Sequence, residues 1–201
     1  MTIYDLKPAF QNILRPLCRF MAKKGIRPNH VTLLALIMSF LAGMLIWISC
    51  GARWSLLFIP VVLFIRMALN AIDGMLAREY DMKTPLGAIL NELGDVISDT
   101  VLYLPFAVIP GISAYLTVFV VILSIISEMT GVIAIQIGAS RRYDGPMGKS
   151  DRAFAFGLLA LLIAFGVPVG VWVDIALFIV LILLILTIVN RARYALKEIR
   201  V

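Results

Sequence analysis

Six long apolar runs dominate the 201-residue chain. Most of them approach or exceed the roughly 20 residues that an α-helix needs to cross the hydrocarbon core of a bilayer. The runs are 31–50, 54–77, 86–109, 114–138, 153–168 and 172–190. Hydrophobic residues make up 62% of the chain, and its mean hydropathy is +1.00, whereas a soluble domain is about half apolar. The sequence therefore predicts an all-α integral membrane protein with six transmembrane helices.

The positive charges indicate how these helices are oriented. Sixteen of the 18 Lys and Arg residues fall in residues 1–30, in the loop after the second run, in the 141–152 loop and in the C-terminal tail. Lys and Arg accumulate on the cytoplasmic side of membrane proteins, so we expect both termini to be cytoplasmic. The net charge of +6 then reflects topology and affinity for anionic membrane lipids, and we expect no nucleic acid partner.

The segment before the first run predicts an amphipathic helix. Within residues 4–24, apolar residues recur every three or four positions, at Leu6, Phe10, Leu14, Leu17 and Met21. This spacing favours a helix lying in the membrane interface, bent or broken at Pro16. A soluble N-terminal helix is the alternative, but the sequence offers no soluble core for it to pack against. We expect one membrane domain over residues 1–201, with 1–30 as its interfacial segment.

Polar residues interrupt the second and third runs at helical spacing. Asn70 and Asp73 share one face of the second helix, and Asn91 and Asp95 share one face of the third. The connection between these helices is short, so their polar faces can meet near the cytoplasmic surface. Carboxylate and amide oxygens are the ligands that hard divalent cations prefer. The four residues therefore predict a metal site, with plain interhelical hydrogen bonds as the alternative.

Three further charged residues lie deeper in the predicted bilayer. Arg66, Asp99 and Glu128 are each roughly 18–20 Å from the cytoplasmic end of their helix, at about 1.5 Å per residue. An unpaired charge at this depth is expensive. We expect Arg66 to pair with Asp99, Glu128 or both, as structural support beneath the metal site.

The segment Asn70–Asp95 resembles the signature of the CDP-alcohol phosphatidyltransferases, D-x2-D-G-x2-A-R-x8-G-x3-D-x3-D. Six of the eight defining positions match in register, namely Asp73, Gly74, Ala77, Arg78, Gly87 and Asp95. The other two are Asn70 and Asn91, where the family has its first and third aspartates. The six runs, the N-terminal helix and the sequence "RPNHVT" at 27–32 are also similar to the family, so the resemblance extends over the whole chain.

The two asparagines bear on the cofactor that the resemblance implies. The family holds a pair of divalent cations, Mg²⁺ or Mn²⁺, partly through the aspartates that Asn70 and Asn91 replace here. A unit charge pair about 4 Å apart is worth roughly 4 kcal/mol at an effective dielectric of 20. Losing two negative charges can therefore decide occupancy. The site can hold one ion, gain a second only with the substrate's diphosphate, or be inactive.

The resemblance also implies a reaction and a place in the cell. It implies transfer of a phosphatidyl group from CDP-diacylglycerol to an alcohol with release of CMP, by a homodimer whose active site faces the cytoplasm in a bacterial-type inner membrane. Asp95 would be both a metal ligand and the general base for the alcohol. The nucleotide and phosphates would be bound at Gly74, Ala77, Arg78 and Gly87.

The 141–152 loop offers candidate ligands for the acceptor. Arg141, Lys149 and Arg152 would bind a phosphate on the acceptor alcohol, as the equivalent region does in the family, or would serve only as topogenic charges. The sequence "GPMGKS" in this loop does not match a phosphate-binding P-loop, because only two residues separate its glycines. An anionic acceptor is therefore favoured by the sequence without being required.

Other functions are compatible with the same residues. A related enzyme would transfer from a CDP-linked amino alcohol to diacylglycerol, and a catalytically weakened relative would only bind the nucleotide-lipid. A small cation transporter would use the carboxyl groups as its ion site, but we find no inverted repeat in the sequence. Metal-dependent CMP release separates the two enzymes from the other two possibilities.

Overall fold

A computed structural model describes the backbone of residues 3–199 and the side chains of residues 9–199. Within this range the chain is helical and contains no strand. The predicted all-α architecture is confirmed, and each apolar run overlaps a different α-helix. The α-helices are α1 (Ile3–Lys23), α2 (Pro28–Ser49), α3 (Arg53–Glu79), α4 (Pro85–Tyr103), α5 (Ala114–Gln136), α6 (Lys149–Ala164) and α7 (Val171–Glu198). A short 3₁₀ helix, Leu104–Val108, extends α4.

Four helices of the described range are long and apolar enough to cross a membrane, namely α2, α3, α5 and α7. The other two predicted spans fall short for different reasons. Polar residues such as Asn91 and Asp95 interrupt α4, and α6 has only 16 residues, a length of about 24 Å. A multi-pass membrane protein is thus supported, while the six crossings and the cytoplasmic termini stay predictions.

The helices pack into a bundle with a defined set of neighbours. α2 packs against α3 and α4, α3 also packs against α6, and α5 packs against α7. In the largest apolar cluster the ring of Tyr103 stacks on Phe156 with 4.1 Å between ring centroids, and Phe106 meets Phe156 edge to face. This core holds α3, α4 and α6 together below the polar ends of α3 and α4.

Helix α1 lies against α3 at the edge of the bundle. Cys18 is fully buried in a smaller cluster with residues of α2 and α3, and Arg15 pairs with Glu79 at 3.2 Å. Of the bend or break expected at Pro16, the break is wrong, because α1 continues through this residue. Pro16 and Asn12 are both exposed, so solvent can satisfy the carbonyl that the proline leaves unpaired.

The apolar stripe of α1 is only partly used in this packing. Leu14 and Met21 pack against the cluster around Cys18, whereas Leu17 and Phe20 are exposed, and the side chain of Leu6 lies outside the described residues. An exposed apolar strip beside the bundle suits a helix in the membrane interface, which stays a prediction.

Gly43 lies where α2 and α4 come into close contact, and this contact gives a testable prediction. A Cβ atom at this position would lie 1.8 Å from the carbonyl oxygen of Val101, because the backbones of α2 and α4 meet there. Gly43→Ala is therefore expected to destabilise the protein by about 1–3 kcal/mol in an SDS titration from mixed micelles. In the control Gly94→Ala the nearest atom, in the Thr32 side chain, is 3.4 Å away, so no loss is expected. Equal stability of the two variants would contradict the close contact.

Candidate functional site

A cavity of about 520 Å³ opens where the N-terminal ends of α2, α4 and α6 surround the C-terminal half of α3. Asn70 and Asp73 reach it from α3, and Asn91 and Asp95 reach it from α4. α2 packs against both α3 and α4, and the cavity lies between the polar faces of α3 and α4, so the four side chains surround one space. The residues predicted to form a metal site thus line a single cavity.

Asp73 is the most buried of these four residues, with 5% of its surface exposed. Its Oδ2 accepts a hydrogen bond of 3.0 Å from the hydroxyl of Thr32 in α2. Among the side chains that the structure describes, Asp73 forms no ion pair. The hydroxyl of Thr32 therefore positions a carboxylate that has no cation of the described range in direct contact with it.

Asp95 has very different neighbours. Its Oδ1 pairs with the ammonium group of Lys149, the first residue of α6. Arg66 donates from Nη2 to the main-chain oxygen of Asp95 at 3.1 Å, and the same nitrogen lies 3.9 Å from Oδ1. Two cations therefore stabilise the negative charge of Asp95 and fix its place in the cavity.

The donor set fits a divalent cation only in part. Within residues 9–199, no three side chains of His, Cys, Asp or Glu lie close enough together to form a metal site. In this cavity, two of the four predicted ligands are amides, Asn70 and Asn91. The carbonyl oxygens of Asn70 and Asn91 are suitable ligands for a hard cation, and Asp73 supplies a negative charge. These three residues suit one dication, with at most one further carboxylate, that of Asp95.

The residues predicted to bind the nucleotide also line the cavity, namely Gly74, Ala77, Arg78 and Gly87. A Cβ at Gly74 would lie 2.9 Å from Nη2 of Arg78, so the glycine lets this guanidinium lie along α3. A Cβ at Gly87 would lie 2.8 Å from Oδ1 of Asn29. The main-chain N–H of Gly87 donates to Thr84, the N-cap of α4, at 2.9 Å. Both glycines thus allow polar groups to approach the helix surface closely.

A buried charge cluster lies beneath the cavity. Arg66 donates from Nη1 to Oδ1 of Asp99 at 2.6 Å, one of the two pairings that the sequence predicts. Glu128 is paired instead with Arg152 at 3.0 Å and with Arg191 at 3.4 Å. Arg152 also donates to Oδ2 of Asp99 from Nε and Nη2, at 2.9 and 2.7 Å. Arg152 therefore connects the two carboxylates, whereas Arg66 contacts only Asp99 of the two.

The three cations predicted to bind the acceptor have different surroundings. Among the described residues that line the cavity, Lys149 is the one member of this group. Arg152 is 1% exposed within the charge cluster, and Arg141 donates to Glu92 at 2.6 Å and to Glu128 at 3.4 Å. Burial alone would lower the pKa of Arg141, but Glu92 raises this pKa above the ordinary value.

Part of the cavity wall comes from residues that the motif does not include. Asn29 and Thr32 line it from α2, and Phe10 and Gln11 line it from α1. The sequence signal for Asn29 and Thr32 was "RPNHVT", the segment at the start of the first apolar run that is similar to the family. No sequence feature indicated that Phe10 would line the cavity, because its spacing predicted only a place in the apolar stripe of α1.

Comparisons with known proteins agree with this architecture. The family model of the CDP-alcohol phosphatidyltransferases matches residues 26–195. The inner membrane protein YnbA of Escherichia coli K12 is 48% identical over 193 residues, which is 96% of both chains. An uncharacterized protein of Aquifex aeolicus VF5 is 33% identical over 101 residues, 50% of this chain and 47% of the relative.

Two solved structures of one enzyme share the fold. The phosphatidylinositol phosphate synthase PgsA1 of Mycobacterium tuberculosis with CDP-DAG bound has a TM-score of 0.75 at 20% identity, over 92% of this chain and 94% of that chain. Its complex with manganese and citrate has a TM-score of 0.74 at 20% identity, over 91% and 88%. Together with the family match over most of the chain, the fold and the cavity lead to one conclusion: the chain belongs to the CDP-alcohol phosphatidyltransferase family.

Proposed function

We propose that this protein transfers the phosphatidyl group of CDP-diacylglycerol to an alcohol and releases CMP, in the inner membrane and on its cytoplasmic side. The observation that carries the proposal is the single cavity lined by Asp73 and Asp95, with Asn70 and Asn91 between bundle helices. The M. tuberculosis synthase of the same fold has CDP-DAG bound. An amphiphilic diphosphate suits a polar cavity at the ends of apolar helices, where its acyl chains stay in lipid.

The substrate's nucleotide end is proposed to lie over the small residues of α3 and α4. These small residues of the cavity wall are Gly74, Ala77 and Gly87. They would let the cytidine lie beside the side chains of Arg78 and Asn29, which approach the two glycines. Arg78 is a guanidinium at the cavity wall, and a guanidinium can donate two hydrogen bonds to phosphate oxygens. These residues would hold the diphosphate so that its lipid-bearing phosphorus faces Asp95.

Asp95 is proposed to act as the general base. Its carboxylate would accept the proton of the acceptor hydroxyl while the alcohol oxygen forms a bond to the lipid-bearing phosphorus. The bond from that phosphorus to the bridging oxygen breaks, and CMP leaves with both electrons of the bond. Lys149 and Arg66 position the carboxylate through the contacts described above. The proton on Asp95 then returns to solvent through the open cavity.

The cofactor is proposed to be Mg²⁺ or Mn²⁺, bound through Asn70, Asp73 and Asn91, with Asp95 as the fourth predicted ligand. When bound, a divalent cation neutralises diphosphate oxygens and stabilises the charge of the leaving CMP. This chain contributes the oxygen donors and the hydrogen bond by which Thr32 orients Asp73.

The acceptor is proposed to be an anionic alcohol bound beside Lys149. Lys149 lines the cavity and carries a positive charge close to Asp95, where the hydroxyl must lie. The other two predicted acceptor ligands form ion pairs elsewhere. Arg152 is paired with Glu128 inside the charge cluster, and Arg141 also contacts Glu128. We therefore assign Arg141 and Arg152 a supporting position and keep Lys149 as the acceptor contact. The homodimer of the family is proposed for this chain as well.

The test uses purified full-length protein in lipid nanodiscs. CMP release is measured from CDP-diacylglycerol with phosphorylated and neutral alcohols, and from CDP-ethanolamine with diacylglycerol, each with Mg²⁺, Mn²⁺, Ca²⁺ or EDTA. The proposal expects metal-dependent release from CDP-diacylglycerol and faster release with a phosphorylated alcohol. Release only from CDP-ethanolamine would favour the amino alcohol reaction. Binding of the nucleotide-lipid without release under any condition would indicate a non-catalytic relative.

The hydrogen bond to Asp73 gives a prediction of its own. Thr32→Val keeps the shape of the side chain but removes the donor to Oδ2 of Asp73. Loss of such an outer contact typically costs about 10–100-fold in metal affinity or activity. We expect the Mn²⁺ concentration for half-maximal CMP release to rise by this factor. Thr130→Val is the control, because the Thr130 hydroxyl donates to the main chain of its own helix and Thr130 does not line the cavity. Equal Mn²⁺ dependence in both variants would refute the role of Thr32.

A further inference from the structure

The cavity contains a cation supplied by the chain itself. Lys149 begins α6 and places its ammonium group on Oδ1 of Asp95, inside the space lined by the predicted metal ligands. Its side chain is 27% exposed, so it lies at the cavity wall and not in open solvent. A divalent cation on the carboxylate of Asp95 would have to compete with this ammonium group for Oδ1.

The charges on the two sides of the cavity are unequal. On one side, Asp95 already has Lys149 on its carboxylate and Arg66 nearby. On the other side, Asp73 has the neutral Thr32 donor and, among the described side chains, no ion pair. The two amides, Asn70 and Asn91, add oxygens without adding negative charge. A single dication beside Asp73 would face a carboxylate that, within residues 9–199, has no ion pair, whereas a second one beside Asp95 would meet an ammonium group.

We infer that Lys149 takes the place of a second metal ion, so that this protein binds one divalent cation, through Asn70, Asp73 and Asn91. The inference rests on the proposed function, since it assigns the metal count of that same site. It also gives the asparagines a physical role. With a fixed ammonium group on Asp95, carboxylates at positions 70 and 91 are not needed to hold a second dication.

The test counts Mn²⁺ ions bound to the full-length protein in nanodiscs, in the absence of substrate. Equilibrium dialysis gives the number per chain, and electron paramagnetic resonance detects spin coupling between two ions, which lie about 3.5–4 Å apart in two-metal sites. One uncoupled Mn²⁺ per chain is expected for the wild type. Two coupled ions, or none, would overturn the inference.

Variants separate the two halves of the site. Asp73→Asn is expected to abolish Mn²⁺ binding, whereas Asp95→Asn is expected to retain one ion per chain. Retention in Asp73→Asn with loss in Asp95→Asn would overturn the assignment. The wild-type count decides the question even where a variant fails to fold.

The role of Lys149 is tested in a chain that has regained its acidic residues. The variant Asn70→Asp with Asn91→Asp is expected to bind one ion while Lys149 is present, and two coupled ions once Lys149→Gln is added. Lys83→Gln in the same background is the control, because Lys83 also lines the cavity and, among the described side chains, forms no ion pair. Two ions with Lys149 intact would overturn the inference.

Measuring CMP release from the same samples tests the proposed reaction separately from the number of bound metal ions. One bound Mn²⁺ per chain without release of CMP from CDP-diacylglycerol would contradict the transferase reaction and leave the metal count standing. Release of CMP by a protein with two coupled ions would support the reaction and overturn the role of Lys149.

Discussion

Asp95→Asn is expected to lower the rate of CMP release from CDP-diacylglycerol by about 10²–10⁴-fold, the usual contribution of a positioned general base. The amide cannot accept the proton of the acceptor hydroxyl, although it has nearly the same shape as the carboxylate. It also leaves Lys149 without its anionic partner in the cavity. Initial rates in nanodiscs at saturating substrate measure the effect.

Asp81→Asn is the matched control for this loss. Asp81 is exposed in the connection between α3 and α4, and its φ of 53° is a conformation that asparagine also tolerates. The control is expected to keep the wild-type rate. If Asp95→Asn also kept it while circular dichroism showed both variants folded, Asp95 could not be the base.

Arg152→Met is expected to cause the largest loss of stability of any single change in the bundle. Arg152 is 1% exposed and joins Asp99 to Glu128, whose side chains are 5% and 9% exposed. Its removal takes a cation from two buried carboxylates at once. Breaking a buried pair by removing one partner costs about 3–5 kcal/mol, measured here as the free energy of unfolding in mixed micelles with SDS.

Two further variants show whether charge is the cause. Arg53→Met removes an exposed arginine at the start of α3 and is expected to leave stability unchanged. Adding Glu128→Gln to Arg152→Met is expected to restore part of the loss, because the carboxylate that lost its closest cation is then replaced by a neutral group. Wild-type stability in Arg152→Met, or a further loss in the double variant, would contradict the role assigned to the cluster.

The helices and much of the cavity could be predicted from the sequence because both depend on local spacing. Apolar runs set the helices, and polar residues three or four positions apart share a helix face, as Asn70 and Asp73 do. The prediction that Arg66 pairs with Asp99 followed from the cost of an isolated buried charge. These predictions required only the spacing of residues within one helix, or within two helices that follow each other in the chain.

Contacts between distant helices could not be predicted in the same way. Arg152 was expected to bind substrate, but the packing of α6 against α3 brings it onto Asp99 and Glu128. Lys149 reaches Asp95 across 54 positions of sequence, and Thr32 reaches Asp73 across 41. Such pairs depend on which helices are neighbours, and the spacing of residues within a helix carries no information on that choice.

The most direct test of the transferase reaction is whether release of CMP and formation of the lipid product are coupled. Wild-type protein in nanodiscs is given CDP-diacylglycerol, Mn²⁺ and a phosphorylated alcohol, and mass spectrometry quantifies CMP, phosphatidic acid and the phosphatidyl-alcohol. We expect one phosphatidyl-alcohol for each CMP, and neither product in EDTA. CMP accompanied only by phosphatidic acid, or no CMP at all, would contradict the transferase reaction.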